Sequence, residues 1–398
     1  MTTVDETGRA AAPAAPERVI PVMRPWLGQA EADAAAAAVL SGWVAQGPRV
    51  AEFEAAFAQR VEARHAVAVS SCTTGLHLAL VLAGVGEGDE VVVPSLSFIA
   101  TANAARYVGA TPVFADVDPI TQNLTPATIA PALTRATRAV VLVDQAGVPA
   151  DVDAVRALCD PLGVTVVQDA ACAIGSTWRG QPVGARAQLA AFSFHPRKVI
   201  TTGEGGMLVT DDPERAARGR RLREHGMSVS AAERHQARGP VLEQYLETGF
   251  NHRMTDIQAA VGLVQLAKLD AIVERRRALG ERYRRLLADV PGLAAAVTAA
   301  DPVGGTTNFQ SFWVLLPAGF PRSRDELLGV LAGHGVSARR GIMASHLEPA
   351  YAGGAHPPLP VTERFTCDSL ILPLYHDLTE ADQDHVVDVI TAAARGSH

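Results

Sequence analysis

The chain has 398 residues, 48% of them hydrophobic and 19% charged, which supplies a sizeable core and excludes a disordered chain. A formal net charge of -7, with no long basic run to offset it, argues against a nucleic-acid surface. Four cysteines, Cys72, Cys159, Cys172 and Cys367, show no CxxC spacing, so no zinc knuckle, metal site or disulfide scaffold is expected and reduced thiols in a cytoplasm fit best. Residues 1–18 are rich in Ala and Pro and lack an apolar stretch of signal-peptide length; they read as a disordered lead-in. No segment approaches the length of a membrane span. From Ile20 the chain enters structure. Glu31–Leu40 is alanine-rich and predicts a helix ended by Ser41-Gly42. Ala51–Arg60 predicts a second, with Phe53 and Phe57 on one face.

A repeating alternation follows. Short apolar strands at Ala66–Val69, Val91–Val93, Pro112–Val117, Ala139–Val143 and Val164–Val167 are separated by helical stretches at Leu76–Leu82, Ile99–Tyr107, Pro126–Arg135 and Val152–Leu158. Continuous apolar strands alternating with helices describe a mostly parallel sheet buried on both faces, in an α/β fold. Such sheets bind ligands at the carboxyl ends of their strands. Two further strands, Phe192–Phe194 and Met207–Val209, flank a polar knot and a glycine-rich turn. Pro213–Arg223 predicts a helix, followed by a long connection. Ile257 to about Leu287 then predicts one long amphipathic helix. Its Arg275-Arg276-Arg277 cluster reads as a solvated face or a subunit contact. A strand at Ser311–Leu316, a helix at Arg324–His334, a loop of active-site character over 335–351 and a closing helix at Thr379–Ala394 complete the pattern. The expected division is a large domain over 19–254 and a smaller C-terminal α/β domain over 255–398.

The candidate chemistry gathers at predicted strand ends. Lys198 lies in the loop between the last two strands of the large domain, where a buried lysine loses water and becomes nucleophilic. Asp169 ends a strand, and a carboxylate buried there needs a positive partner. Ser70-Ser71-Cys72-Thr73-Thr74-Gly75 stands between a strand and a helix start. Its N–H groups and the Thr73 and Thr74 hydroxyls can cradle an anion; a plain helix cap, or a nucleophilic Cys72, is open on the same residues. Phe98 sits just past a strand end, placed for core packing or for lying flat on a planar ligand. Arg339 or Arg340 could pair with a substrate phosphate or carboxylate.

Taken together, Ser193-Phe194-His195-Pro196-Arg197-Lys198 with Thr201-Thr202-Gly203-Glu204-Gly205-Gly206, Val93-Pro94-Ser95-Leu96-Ser97-Phe98, Asp169–Gly175 and Gly249-Phe250-Asn251-His252-Arg253-Met254-Thr255-Asp256 resemble the motifs of the DegT/DnrJ/EryC1/StrS aminotransferases. The resemblance runs in order from near Pro21 to about Leu374. It implies a pyridoxal phosphate (PLP) transferase of fold type I, cycling between PLP and its amino form PMP. The large domain would carry a mostly parallel mixed sheet, beside the smaller C-terminal α/β domain. Lys198 would be covalent anchor and general acid/base, and Asp169 would face the pyridinium nitrogen. Cys72, Thr73, Thr74 and Ser193 would hold the phosphate, and Phe98 would stack on the ring. Cys172 stands where glutamine or histidine is common and would lie near the ring hydroxyl. Asn251 would reach the phosphate of a neighbouring subunit, so that a homodimer shares its sites. His195 reads as structural. His252, Arg340 and His346 are the candidate substrate residues, and Asp144 replaces a frequent histidine. The resemblance implies glutamate or glutamine as donor and a keto sugar, most readily nucleotide-linked, as acceptor. A keto cyclitol or another ketone is the near alternative. Relatives with histidine in place of the lysine are dehydratases, against which Lys198 speaks. The intact lysine and phosphate motifs likewise speak against a regulator built on the same fold.

Overall fold

The computed structural model describes residues 19–229, 239–294, 296–354 and 356–396. The lead-in 1–18 and part of the connection after residue 223 lie outside the described residues. Seven strands form the principal sheet: β1 His65–Val69, β2 Glu90–Pro94, β3 Thr111–Ala115, β4 Thr137–Val143, β5 Thr165–Asp169, β6 Leu189–Ser193 and β7 Gly206–Thr210. They are ordered β1-β7-β6-β5-β4-β2-β3. Only β7 runs against its neighbours β1 and β6; the other pairings are parallel. The carboxyl ends of β2, β4, β5 and β6 therefore open on one edge, where ligand chemistry is expected.

Helices α1 Gln29–Leu40, α2 Pro48–Arg60, α3 Cys72–Leu82, α4 Ala100–Tyr107, α5 Pro126–Ile129, α6 Val152–Cys159 and α7 Pro213–Leu222 flank these strands. On one face Leu76, Leu80 and Ala104 pack against Val69, Val91 and Val141. On the other, Phe53 and Phe57 of α2 meet Phe192 and Phe194 edge-on or tilted. Each such ring is fully buried, stabilising the fold by roughly 1.5–3 kcal/mol. The helix predicted to reach Arg135 stops at Ile129 and passes into a tight turn, Ala130–Ala132. Pro131 has no N–H to continue it.

The predicted long helix is two: α8 Asp256–Ala267 and α9 Leu269–Ala288, broken at Lys268. The two halves share one core at their junction, where Leu269 and Ile272 join Ala259, and part farther along. α8 places Ala259 in the core with Phe53, and the ring of Phe53 lies so close to Gly262 that a Cβ there would sit 2.7 Å from it. α9 instead buries Leu279, Tyr283 and Leu287 beside the second sheet. That sheet comprises β8 Val297–Thr298, β9 Phe312–Leu315, β10 Arg339–Arg340 and β11 Ser369–Leu372, ordered β8-β9-β11-β10 and antiparallel throughout. α10 Arg324–Gly333, α11 Pro360–Asp368 and α12 Glu380–Ala394 accompany it.

The arginine cluster is not a solvated face. Arg276 is 2% exposed and donates to the carbonyls of Phe309 at 2.9 Å and Gln310 at 2.5 Å. Arg275 donates to the carbonyls of His376 and Leu378, and Arg277 to Thr307 O and Asp301. Arg276 and Arg277 thus hold the strand entry at 307–310. No described helix is long and apolar enough to cross a membrane.

Candidate active site

A cavity of about 590 Å³ opens at the carboxyl ends of the strands, and Phe98, Asp169, Cys172 and Lys198 line it. The loop from β6 to β7 delivers Lys198. It is closed by Phe194 N to Gly205 O at 2.9 Å and Thr202 N to Phe194 O at 3.0 Å, and Lys198 N donates to His195 O at 2.8 Å. His195 accepts from Arg197 N at Nδ1, in keeping with a structural role.

Lys198 Nζ donates to Cys172 Sγ at 3.1 Å. The expectation that burial would leave the lysine with a depressed pKa is corrected here. Burial does pull it down, but Cys172, Cys72 and Asp169 around the amine outweigh that, and the net direction is upward. The groups around the amine thus favour its ammonium form.

Asp169 is 5% exposed. Its Oδ2 accepts from Thr101 Oγ1 at 2.9 Å and its Oδ1 from Ala171 N at 3.2 Å. Burial raises its pKa, while Thr101, Lys198 and Ala171 pull the other way. Thr101 was missed in the sequence. Its hydroxyl also meets Ser97 at 2.7 Å, so a Ser-Thr pair one helical turn apart was the available signal.

Ser71 caps α3, and its side chain accepts from Thr74 N while Thr74 Oγ1 accepts from Ser71 N. The Thr74 hydroxyl also donates to Ser71 O, so it serves the cap rather than an anion. What remains for an anion is the pair of orphan N–H groups at Cys72 and Thr73, with the Thr73 hydroxyl beside them. Burial drives the Cys72 thiol well above its ordinary value, with Asp169 adding to the effect, which disfavours the thiolate that a nucleophile needs. Ser193 pairs with Gly206 across β6 and β7. A Cβ on Gly206 would sit 2.6–2.7 Å from the Ser71–Cys72 backbone. Glycine there keeps the space at the helix start open and brings Ser193 beside it.

Phe98 is 62% exposed, which rules out core packing and leaves its ring on the cavity. Arg197, Arg339 and Arg340 also line the cavity, and Arg340 lies 3.5 Å from Glu348. The other two candidate substrate residues do not line this cavity. His346 is buried, hydrogen-bonded to Ser95 Oγ at 2.6 Å through Nδ1 and 3.6 Å from Glu363. It braces the segment that carries Phe98. His252 stacks on Phe250 with centroids 4.9 Å apart and meets His77 at 3.2 Å. Asn251 is exposed and accepts from Arg253, away from the cavity of its own chain.

Asp144 is fully buried. It accepts from Ala150 N at 2.8 Å and from Gln168 Nε2 at 2.9 Å. Burial, with Asp169 nearby, raises its pKa from 3.8 to about 8. The folded state holds this proton more tightly than the unfolded chain. Stability should therefore be full below about pH 4 and fall as pH rises towards about 8. Asp144→Asn is expected to flatten that decline, which thermal midpoints at about pH 5 and about pH 9 would show. An unchanged slope would remove Asp144 from the account.

The residues present suit pyridoxal phosphate. Asp169 offers a buried carboxyl that a cationic ring nitrogen would hold ionised, the start of α3 offers orphan N–H groups across from Ser193, and the cavity falls in the usual size range for small ligands. Comparison with solved structures gives the same answer. The chain aligns with the aminotransferase TlmJ from Streptoalloteichus hindustanus at 37% identity and TM-score 0.87, covering 95% of this chain and 99% of that one. DesI, solved in the presence of its TDP-sugar product, matches at 35% identity and TM-score 0.87, covering 97% and 95%. Spr1654 from Streptococcus pneumoniae, known in PMP and PLP forms, matches at 26% and 25% identity with TM-scores of 0.89 and 0.88, covering 95% and 96% of this chain and 100% of that one. The fold is that of a PLP-dependent aminotransferase. A model of the DegT/DnrJ/EryC1/StrS aminotransferase family matches residues 25–391, and the chain belongs to that family of aminotransferases.

Proposed function

We propose that the enzyme moves an amino group from glutamate or glutamine to a nucleotide-linked keto sugar, in sugar or secondary-metabolite biosynthesis. The observation that carries the choice of acceptor is the arginine-lined mouth of the cavity, Arg197, Arg339 and Arg340. Guanidiniums recognise phosphate oxygens in a fixed, bidentate geometry. An uncharged cyclitol would leave them without that partner. The TDP-sugar product of DesI supports the same reading.

The bound cofactor supplies an electron sink at the donor's α-carbon. This chain's residues do the rest. Lys198 anchors the cofactor and holds and returns a proton at Nζ. Asp169, oriented by Thr101, keeps a negative charge at the ring nitrogen. Cys72 and Thr73 N–H groups with Ser193 bind phosphate, Phe98 covers the ring, and Cys172 stays beside Lys198. Asn251, exposed on its own chain, is assigned to the phosphate of a second copy, which makes a homodimer with shared sites. The same reading divides the chain at 254/255 and places the protein in the cytoplasm.

The test is a mass-spectrometric screen of the amino-loaded enzyme against nucleotide keto sugars and free keto cyclitols. Amino product should form from the nucleotide-linked ketones. Product only from free cyclitols would overturn the acceptor assignment. Release of ammonia with no amino donor present would instead mark a dehydratase.

A further inference from the structure

We infer that Gln310 is a positioning residue for Lys198, locked in place by Arg276; the inference rests on the role given to Lys198 above. Gln310 stands just before β9, and its Nε2 donates to Arg197 O at 2.8 Å. That carbonyl belongs to the peptide bond of Lys198 itself. Ser311 Oγ donates to Gln310 Oε1 at 2.9 Å, which decides the end of the amide that faces Arg197. The Gln310 backbone is held twice over, its N–H by Asn308 Oδ1 at 2.8 Å and its carbonyl by Arg276 Nη2 at 2.5 Å.

The neighbouring residues show that this segment is more than packing. Asn308 Nδ2 donates to the carbonyls of Cys172 and Ile174, both at 2.8 Å. Residues 308 and 310 thus grip both loops of the site, the one after Asp169 and the one bearing Lys198. Phe309 between them is fully buried with φ +49°, a left-handed conformation that persists only where the surroundings over-determine it. Arg276 buries its guanidinium against two carbonyls, with Met23 Sδ at 3.8 Å. Met23 and Gln310 are both on the cavity wall. Burying a charge this way is costly, and its place directly behind the wall ties it to the alignment of the lysine loop.

Gln310→Met keeps the length of the side chain and removes the donor. Ser311→Ala keeps Gln310 but frees its amide to turn. In both, kcat should fall about tenfold while KM for the amino donor stays near wild type, since a misplacement of about 1 Å costs up to about 10²-fold. The pH titration of the long-wavelength absorbance of the lysine-bound cofactor should also move, with the melting temperature near wild type. An unchanged titration and kcat would overturn the inference, as would kcat and KM lost together with the melting temperature. If Gln310→Met fails to fold, Ser311→Ala decides alone. Lys198→Ala serves as the control: absorbance surviving there defeats the underlying assignment, whereas absorbance that requires Lys198 but ignores both variants defeats this inference only.

Discussion

Lys198→Ala should yield a protein without the long-wavelength absorbance of the lysine-bound cofactor, with transamination reduced by about 10⁴-fold or more. The expectation follows from the surroundings of the amine. Lys198 faces a cavity shared with Asp169 and Cys172, and its nearest polar contact is a thiol at 3.1 Å. Alanine removes both the nucleophile and the group that returns a proton, and among the described residues no other lysine lines the cavity. The fold should survive. The loop is closed by backbone bonds from Phe194, Thr202 and Gly205, which the substitution leaves intact. Removing the ammonium also leaves Asp169 without one of the groups that hold its pKa down, so the carboxyl should take up its proton more readily. Absorbance unchanged in the alanine variant would falsify the assignment.

Asp169→Asn should separate stability from activity. Turnover should fall by about 10²- to 10³-fold, the usual loss when a preorganised electrostatic partner is removed from a water-excluded site. Cofactor should still bind, because the anion donors at the start of α3 and Ser193 are untouched. Stability should move the other way. Burial raises the pKa of Asp169, so the folded chain favours the neutral form and loses stability as pH rises through the folded value. Asparagine removes that cost at neutral pH and keeps an acceptor for Thr101. The cofactor-free variant is therefore expected to melt at or above the wild-type temperature, as functional sites often carry such a cost. Near-normal turnover would take Asp169 out of its role at the ring nitrogen. A large fall in melting temperature would show that the carboxylate is structural instead.

Asp169 and Lys198, the two groups proposed as reactive, stood out in the sequence because each sits where a regular element stops. Asp169 ends an apolar strand and Lys198 lies between two, and strand runs of four or five apolar residues are easily seen. Position in a loop does not by itself place a side chain on the cavity. His346 and His252 are conspicuous polar residues in loops, yet one is hydrogen-bonded to Ser95 and the other stacked on Phe250. The Thr74 hydroxyl, an anion donor by its place in the motif, is claimed by a capping box. The second sheet was half seen, since β11 and α11 lie in a Pro-punctuated stretch without clear period. The break at Lys268 was invisible because apolar residues continue across it, with Leu266, Leu269 and Ile272 packing in one cluster.

What the sequence alone determined is what repeats or ends locally: the alternation of strand and helix, the glycines of the lysine loop, the cap of α3 and the motif set that marks the family. What tertiary structure decided is everything set by partners far apart in the chain. Arg276 looked like surface charge until its two carbonyl partners, 33 and 34 residues away, came into view. Gln310 acquires its position from a carbonyl 113 residues away. A hydrogen bond across such a distance leaves no periodicity in the chain, because periodicity records only which face of an element is dry, and not what it meets there.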